Sequence, residues 1–431
     1  MKKILHFCNY SPIDSGIYPE TRDLVYEEMR RGYDPYIVDH IRGNRFRIDP
    51  AYQDMLFKEG RIIGLENFDE AQEADLICWH SWIPESYMNN PKRSLVMFLH
   101  AMPSHLFYNE LYGGEAVLTF LKNSHRQVAN CRYFITLWPI HAKYWENIIQ
   151  GNLVVTDPII CCDCIRLKMD DGFDPNHLRL VVMDTWRAGK EPYYIFNAVQ
   201  LLMALSEQGK VPFRVSLDIY GQDGANVQPV WNALIRDDLK KHFHFRGKAH
   251  PQQIFDSSDI LLTQVGEIPT ESRVVREGLL SGIPIVSGIT DVPWTPYHHD
   301  CRDIEGFADE IRKSWQYMQD SQKRAELHRI NRAYAVEHYD IRKNADRIFE
   351  CYEQIFRGSL ESRPLSVRPP PAGESSVTGS EDIFEQLKQR IMEVETGVQA
   401  DAILDSMERT DLTMGRQETL LRLMMDLPKS G

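Results

Sequence analysis

The clearest pattern of apolar and polar positions lies between residues 256 and 288. An apolar run at 260–262 is short enough for a buried parallel strand, and a polar loop follows it. Residues 271–280 then carry their apolar side chains on one face, which predicts a helix ended by Ser281-Gly282. A second apolar run at 283–286 completes the unit. The order predicts one strand–helix–strand unit of a parallel sheet.

Similar apolar runs predict strands along most of the chain, with helical periodicity at 20–31 and 192–207 between them. The predicted strands are 3–9, 36–38, 74–79, 95–99, 133–137, 152–155, 180–183, 215–220 and 243–247. This alternation predicts an α/β fold with two Rossmann-like domains, at 1–165 and 176–357. Residues 157–176 are predicted to link them.

The pattern changes after residue 357. Proline, glycine, serine and threonine dominate 358–380, which predicts a flexible linker. Helical periodicity returns in 381–427. Such short amphipathic helices cannot bury an apolar stripe alone. We expect this tail to pack on itself, on the globular part, or on another subunit or partner.

The amino-acid composition and net charge limit the classes of protein to which the chain can belong. With 431 residues, 43% of them hydrophobic, the chain can form large cores. A net charge of −13 argues against a nucleic-acid surface, which needs clustered Lys and Arg. No run of about 18 apolar residues occurs, and the N-terminus enters a strand rather than a signal peptide. We expect a cytoplasmic protein and leave a peripheral membrane position open.

Several residues lie where ligands bind in α/β folds, at the carboxyl ends of parallel strands. Gly16 lies in the first such loop, without a G-x-G-x-x-G motif. His80 and His100 each end a strand. Structural capping is the favoured interpretation for His80, and function for His100, because Ala-Met-Pro-Ser follows and leaves its ring accessible.

In the second half, Arg187 and Lys190 lie in a loop after a strand, where they either bind an anion or are solvated. Glu271 and Ser272 lie at a helix N-terminus, which favours anions. Glu277 is predicted near the helix end, where an acid opposes the dipole, and a ribose diol would explain it.

Two further clusters are ambiguous. Arg42, Arg45 and Arg47 surround Phe46 and form either a solvated loop, the favoured interpretation, or a patch for a phosphate-bearing or lipid-linked acceptor. The motif Cys161-Cys162-Asp163-Cys164 lacks the second cysteine pair that a zinc site uses, so no structural metal is expected.

Four stretches of the second half resemble the C-terminal domain of GT-B fold glycosyltransferases, in particular the retaining family 4 enzymes. They are VVMDTWRAGKEPYYIFNAVQLL, VSLDIYGQDG, FHFRGKAHPQQIFDSSDILLTQ and REGLLSGIPIVSG. The first half is similar in layout, through the Gly16 loop and the VMFLHAMPS histidine. The resemblance covers residues 1–357.

The resemblance implies transfer of a hexose from a nucleotide-diphosphate sugar, with retention, to a glycan, lipid-linked or protein acceptor. It implies no cofactor and no required metal. Arg187 and Lys190 would hold the diphosphate, and Gly16 would let the first loop approach it. The helix N-terminus at Glu271 and Ser272 would stabilise the departing diphosphate.

The resemblance assigns the remaining donor contacts as well. Glu277 would hold the ribose, the backbone at Arg246-Gly247 the base, and His100 would face the sugar, while Gly221 forms the glycine turn after a strand. The family spaces two glutamates as E-x7-E, but Pro269 occupies the first position here. Glu267 is the residue expected to take its place.

Two alternatives stay open. A degenerate GT-B module, acting as a scaffold or partner subunit, is favoured by the broken E-x7-E spacing and disfavoured by Lys190 and Glu277. A GT-B epimerase would act on the donor without an acceptor. A phosphorylase would need a lysine for pyridoxal phosphate, and none can be assigned.

Overall fold

The computed structural model describes residues 1–13, 16–69, 73–81, 83–84, 87, 94–100, 131–139, 142, 145, 153–168, 172–184, 192–221, 227–263, 272–287 and 303–358. All of them belong to one compact unit formed by Met1–Pro103 and Asn130–Leu365. The predicted tail at 381–427, and all but the first residue of the predicted linker, lie outside this part of the chain.

The first half of the chain forms a seven-stranded sheet in the order β3-β2-β1-β4-β5-β6-β7, with every neighbouring pair parallel. Its strands are β1 (Lys3–Phe7), β2 (Asp34–Asp39), β3 (Ile62–Gly64), β4 (Leu76–Trp79), β5 (Leu95–Leu99), β6 (Cys131–Thr136) and β7 (Leu153–Val155). Most of the central positions are apolar and buried, as expected for strands covered on both faces.

The second half forms a five-stranded parallel sheet in the order β10-β9-β8-β11-β12. Its strands are β8 (His177–Met183), β9 (Arg214–Tyr220), β10 (Phe243–Gly247), β11 (Ile260–Thr263) and β12 (Ile285–Ser287). The predicted α/β class is thereby confirmed, with two separate parallel sheets.

Helices connect the strands and cover the sheets. Those described are α1 (Ile17–Arg30), α2 (Arg45–Ile48), α3 (Met55–Lys58), α4 (Tyr193–Glu207), α5 (Gln228–Ala233), α6 (Pro251–Ser257), α7 (Arg273–Ser281), α8 (Ile304–Met318), α9 (Ser321–Tyr339), α10 (Ile341–Asn344) and α11 (Asp346–Phe356). Short 3₁₀ turns lie at Pro50–Tyr52, Leu65–Asn67, Cys162–Cys164 and Lys240–His242.

The last helix returns to the first sheet. In α11, Ile348, Phe349 and Tyr352 are buried in one cluster with Ile4 of β1 and Leu76 of β4. Apolar burial of this kind contributes about 1.5–3 kcal/mol per large side chain. The chain therefore crosses twice between its two halves. Within the described ranges, no helix combines the length and apolar character needed to span a bilayer.

Gly282 ends α7 in the left-handed conformation, with φ of +86°. A Cβ there would lie 2.7 Å from the carbonyl oxygen of His328. We expect Gly282→Ala to lower the free energy of unfolding by about 1–2 kcal/mol from backbone strain and by roughly 1–3 kcal/mol more from the clash. Chemical denaturation measures this change.

Gly209→Ala is the matched control, because Gly209 has φ of +68° and a Cβ added there would meet no described atom within 4 Å. It isolates the backbone strain from the clash. Equal losses for the two variants would show that the contact with His328 costs nothing.

Candidate functional site

A cavity of about 300 Å³ lies where the carboxyl edges of the two sheets meet. The first half contributes Gly16 and Arg22, near the start of α1. The second half contributes the residues that directly follow β8, β9 and β10, together with the first turn of α7. This is where ligands bind in open α/β sheets, and the volume lies at the lower end of the range for small-molecule sites.

Four of the predicted site residues line this cavity together: Gly16, Gly221, Ser272 and Glu277. Arg187, Lys190, Glu267 and Glu271 lie outside the described residues. Asp184, which precedes the loop of Arg187 and Lys190, also lines the cavity.

Two glycines shape the edge of the second sheet. Gly221 has φ of +145° and Gly247 has φ of +71°, values that side chains other than glycine rarely adopt. The Gly221 N–H donates to the Gly247 carbonyl oxygen at 2.7 Å and joins the ends of β9 and β10. Both glycines therefore have a structural role. The side chain of Arg246, in contrast, donates to Asp218 at 2.9 Å and is not among the cavity-lining residues.

The first turn of α7 faces the cavity, since Ser272, Arg273 and Val274 all line the cavity. The first backbone N–H groups of a helix have no intrahelical partner, and the helix dipole adds positive partial charge there. The Ser272 side chain makes no capping hydrogen bond. These groups suit an anionic ligand such as a phosphate.

Glu277 lies in the middle of α7, one turn after Arg273, so the expectation that it opposes the dipole at the helix end is wrong. The helix begins later and ends later than the sequence pattern predicts. Arg273 Nε donates to Glu277 Oε1 at 2.8 Å, and Arg273 Nη2 donates to Asp23 Oδ2 of α1 at 2.8 Å. Nη1 of Arg273 is buried and has no hydrogen-bond partner among the described residues.

A second ion pair crosses between the same two helices. Arg276 of α7 is fully buried and donates to Glu20 of α1 and, at 2.6 Å, to the carbonyl oxygen of Ile159. Its guanidinium carbon also lies 4.7 Å from the ring centre of Trp138. Burial alone would raise the pKa of Glu20, but the positive charges of Arg276, His100 and Arg273 outweigh it and lower the pKa to about 2.

His100 does not have the accessible ring that the sequence predicts. Its side chain is only 5% exposed. Nδ1 lies 3.0 Å from Glu20 Oε2, and Nε2 lies 2.8 Å from His80 Nδ1. The ring is not open to the cavity, because Glu20 of α1 packs against it. The structure places His100 in a buried polar cluster next to the cleft.

Arg22, Lys248 and His250 are among the cavity-lining residues that have no counterpart in the sequence predictions. Arg22 pairs with Asp23 at 2.8 Å, and its charge faces the cavity beside Arg273. Burial and the nearby Arg22 lower the pKa of His250. His250 Nδ1 accepts from the Gln252 N–H at 3.3 Å, which leaves Nε2 as the donor of the neutral ring. The sequence signal for Lys248 and His250 was their position directly after β10, and the signal for Arg22 was its position inside α1.

In the arginine cluster at 42–47, Arg45 and Arg47 contact other residues of the first half of the chain. Arg47 Nε donates to Asp39 at 2.7 Å, and its guanidinium also pairs with Glu66. Arg45 stacks over Phe46, with 4.7 Å between its guanidinium carbon and the ring centre. Arg47 is therefore held in ion pairs rather than in the solvated loop that the sequence favoured, whereas Arg45 is exposed.

No family model matches this sequence, and no curated protein sequence matches it. Solved structures do resemble it. HepE of Anabaena, solved with UDP-glucose, has a TM-score of 0.58 at 15% identity, over 84% of this chain and 100% of HepE. A glycosyltransferase of Rickettsia africae has a TM-score of 0.55 at 12% identity, over 83% and 99%. The chain has the GT-B fold. The helical C-terminal extension predicted beside this fold lies outside the described residues.

A third protein with the GT-B fold corrects one expectation. An alpha-glucosyltransferase solved with UDP and DNA containing an HMU base has a TM-score of 0.57 at 11% identity, over 81% of this chain and 99% of that protein. The exclusion of a nucleic-acid partner from the net charge is therefore wrong. Net charge sums over the whole chain, whereas phosphate contacts depend only on the local surface that meets them.

Proposed function

We propose that this protein is a nucleotide-sugar-dependent glycosyltransferase of the retaining type, which moves a hexose to a glycan, lipid-linked or protein acceptor. One observation carries the proposal: the cavity between the two carboxyl edges brings Gly16 together with Ser272 and Glu277. UDP-sugars are the first donors to test, because HepE and the alpha-glucosyltransferase were both solved with UDP or UDP-glucose.

The donor diphosphate would lie at the first turn of α7. Free backbone N–H groups, the partly unpaired guanidinium of Arg273 and the charge of Arg22 all favour an anion there. Arg187 and Lys190 would approach from the loop that begins after Asp184. We propose that these cations neutralise the diphosphate without a required metal.

In the proposed reaction, an acceptor oxygen forms a bond to the anomeric carbon while the bond from that carbon to the diphosphate oxygen breaks. The hydroxyl proton of the acceptor passes to the departing diphosphate. Preorganised positive groups stabilise the negative charge that develops there. Glu277 would bind the ribose diol, and Glu267 would act on the sugar side.

Gly16 provides a selective test of the cavity. Its φ of −74° suits any residue, and a Cβ would meet no described atom within 4 Å. We expect Gly16→Leu to keep the free energy of unfolding within about 0.5 kcal/mol of the parent protein. Nucleotide affinity should fall at least about tenfold, since the side chain fills space next to the diphosphate. Calorimetric titration with UDP measures the affinity.

Gly60→Leu would not serve as the control, because φ at Gly60 is +71°. Ser206→Leu on α4, which does not line the cavity, adds similar bulk without that strain. An unchanged affinity for UDP in Gly16→Leu would contradict the placement of the donor against the Gly16 loop.

The reaction itself is tested by incubating the protein with UDP-glucose and candidate acceptors, and following UDP release and product formation. Proton NMR of the product reports the anomeric configuration. An α-linked product from the α-linked donor supports retention, and a β-linked product contradicts it.

A catalytically degenerate module is the second candidate, favoured by the contact between Arg273 and Glu277. This contact already occupies one carboxylate oxygen of Glu277, the residue proposed to bind the ribose. A degenerate module would release no UDP and would bind no nucleotide.

A further inference from the structure

Three buried histidines form a continuous hydrogen-bonded chain beside the cleft. His6 belongs to β1, and His80 and His100 directly follow β4 and β5, so adjacent parallel strands bring the rings side by side. His6 Nδ1 lies 2.9 Å from His80 Nε2, and His80 Nδ1 lies 2.8 Å from His100 Nε2. Every ring nitrogen that faces another ring is therefore within hydrogen-bond distance of it.

A carboxylate closes each end of this histidine chain. Glu28 Oε2 lies 2.8 Å from His6 Nε2, and Glu20 Oε2 lies 3.0 Å from His100 Nδ1. Both glutamates belong to α1, which runs along the histidine chain. The side chains of His6 and Glu28 are inaccessible to solvent, and those of His100 and Glu20 are only 5% and 6% exposed.

The number of protons in this chain follows from its contacts. Four hydrogen bonds link the five side chains, and each bond needs one proton. Ionised carboxylates supply none, and three neutral imidazoles supply one each, which makes three. One bond would then join two acceptors. A fourth proton completes the chain and makes one of the rings an imidazolium.

The surroundings limit where this fourth proton can lie. The pKa of Glu20 is about 2, because Arg276, His100 and Arg273 outweigh its burial, so this carboxyl stays ionised. Burial, and then the neighbouring His100 and His6 rings, lower the pKa of His80 well below its usual value. His80 is accordingly one of the two neutral rings. The imidazolium is then His6 beside Glu28 or His100 beside Glu20.

We infer that the three histidines form a proton-binding site that holds one excess proton between Glu28 and Glu20. Transfer of one proton across each N···N contact moves the excess charge from one end to the other. No oxidant, metal or additional group is required.

Other polar groups connect this site to the rest of the molecule. At one end, Glu28 Oε1 accepts from the Tyr352 hydroxyl at 3.0 Å, and Cys78 Sγ lies 3.4 Å from that hydroxyl. At the other end, Glu20 pairs with Arg276 of α7. Loss of the excess proton leaves two acceptors facing each other at one of the four contacts. Where these are His100 and Glu20, the carboxylate that binds Arg276 loses its histidine partner. The site therefore makes the contact between α1 and α7 sensitive to rising pH.

Nitrogen NMR of the full chain with ¹⁵N-labelled histidine tests the inference directly. Scalar coupling across N–H···N bonds identifies the three connected rings. At pH 7 we expect one imidazolium, shared or localised at His6 or His100, and a neutral His80. Raising the pH should remove one proton from the three rings in a single coupled step. Three neutral rings at pH 7, or a charged His80, would overturn the inference.

His80→Phe breaks the chain while keeping an aromatic ring against Phe98, whose ring centre lies 4.4 Å from that of His80. The two remaining hydrogen bonds need only two protons, which neutral His6 and His100 supply. In the unfolded chain the three histidines together retain less than about 0.3 proton above about pH 7.5. One proton bound to the folded state therefore lowers the folding equilibrium constant nearly tenfold per pH unit from there, until the proton is released.

His80→Phe should lose this one-proton slope between about pH 7.5 and the release point. His177→Phe, which removes a histidine bonded to Ser216 in the other sheet, should retain it. The same slope in both variants would contradict the inference. If His80→Phe does not fold, the spectra of the parent protein decide the question alone.

Discussion

Arg276→Met is expected to lower the free energy of unfolding by about 3–5 kcal/mol. Arg276 is fully buried, and its removal leaves the carboxylate of Glu20 buried without its strongest partner. Methionine fills similar volume, so the loss reports mainly the broken ion pair rather than a cavity. Chemical denaturation with an unchanged m-value measures the effect.

Two further variants show whether the lost stability comes from the broken ion pair or from a general disruption of the fold. Arg312→Met removes an exposed arginine that pairs with Asp309 on one helix, and it should cost less than about 1 kcal/mol. Adding Glu20→Gln to Arg276→Met should restore part of the lost stability, since no buried charge is then left unpaired. Equal losses for Arg276→Met and Arg312→Met would contradict a stabilising pair between α1 and α7.

The same pair predicts how stability responds to acid. Glu20 has a folded pKa of about 2 against an ordinary value of 4.5, so its contribution is fully present above about pH 5. As pH falls from 4.5 to 2, roughly 3 kcal/mol should be lost, which corresponds to about 1.4 kcal/mol per pKa unit. Arg276→Met should show a shallower loss over this range.

Glu277→Gln is expected to weaken nucleotide binding about 10- to 100-fold, because a hydrogen bond to a charged group contributes about 1.5–3 kcal/mol. The amide keeps an oxygen that can accept from Arg273 Nε, so the fold should be retained. Calorimetric titration measures affinity, and thermal unfolding without ligand checks the fold. Glu305→Gln is the matched control, because Glu305 lies in the exposed first turn of α8.

Deoxynucleotides identify the group that Glu277 would bind. If its carboxylate holds the ribose diol, the parent protein should bind UDP more tightly than 2′-deoxy-UDP or 3′-deoxy-UDP. Glu277→Gln should lose most of this difference, in the manner of a double-mutant cycle. The same preference in the parent and in Glu277→Gln would show that Glu277 contacts Arg273 and does not bind the ribose.

The apolar pattern was sufficient to predict most strands, because buried parallel strands are continuous apolar runs. The runs at 260–262 and 215–220 correspond to β11 and β9, and the helix predicted at 192–207 is α4, at Tyr193–Glu207. The short strand Ile62–Gly64 was missed, since three residues between turns give little periodicity.

The polar interior could not be predicted in the same way. The sequence shows Leu24 and Val25 as the inward face of α1, yet Glu20, Asp23 and Glu28 are buried on this helix as well. Their partners lie on other elements far away in the sequence, and only the folded chain brings Arg273, Arg276 and His6 to them. Gly16 and Ser272 could be predicted because they lie next to strand and helix ends, whereas Glu277 was predicted at a helix end but lies in the middle of α7.

The most direct test of the proposed function is thermal unfolding with UDP, GDP, ADP and dTDP, and with their sugars. A ligand that binds only the folded state adds about 2.7 kcal/mol at one hundred times its dissociation constant. We predict a clear upward shift for one base, with UDP as the first candidate, and a shift reduced to about half or less in both Lys190→Ala and Glu277→Gln. A transition that no nucleotide or nucleotide sugar shifts would contradict a donor site in this cleft.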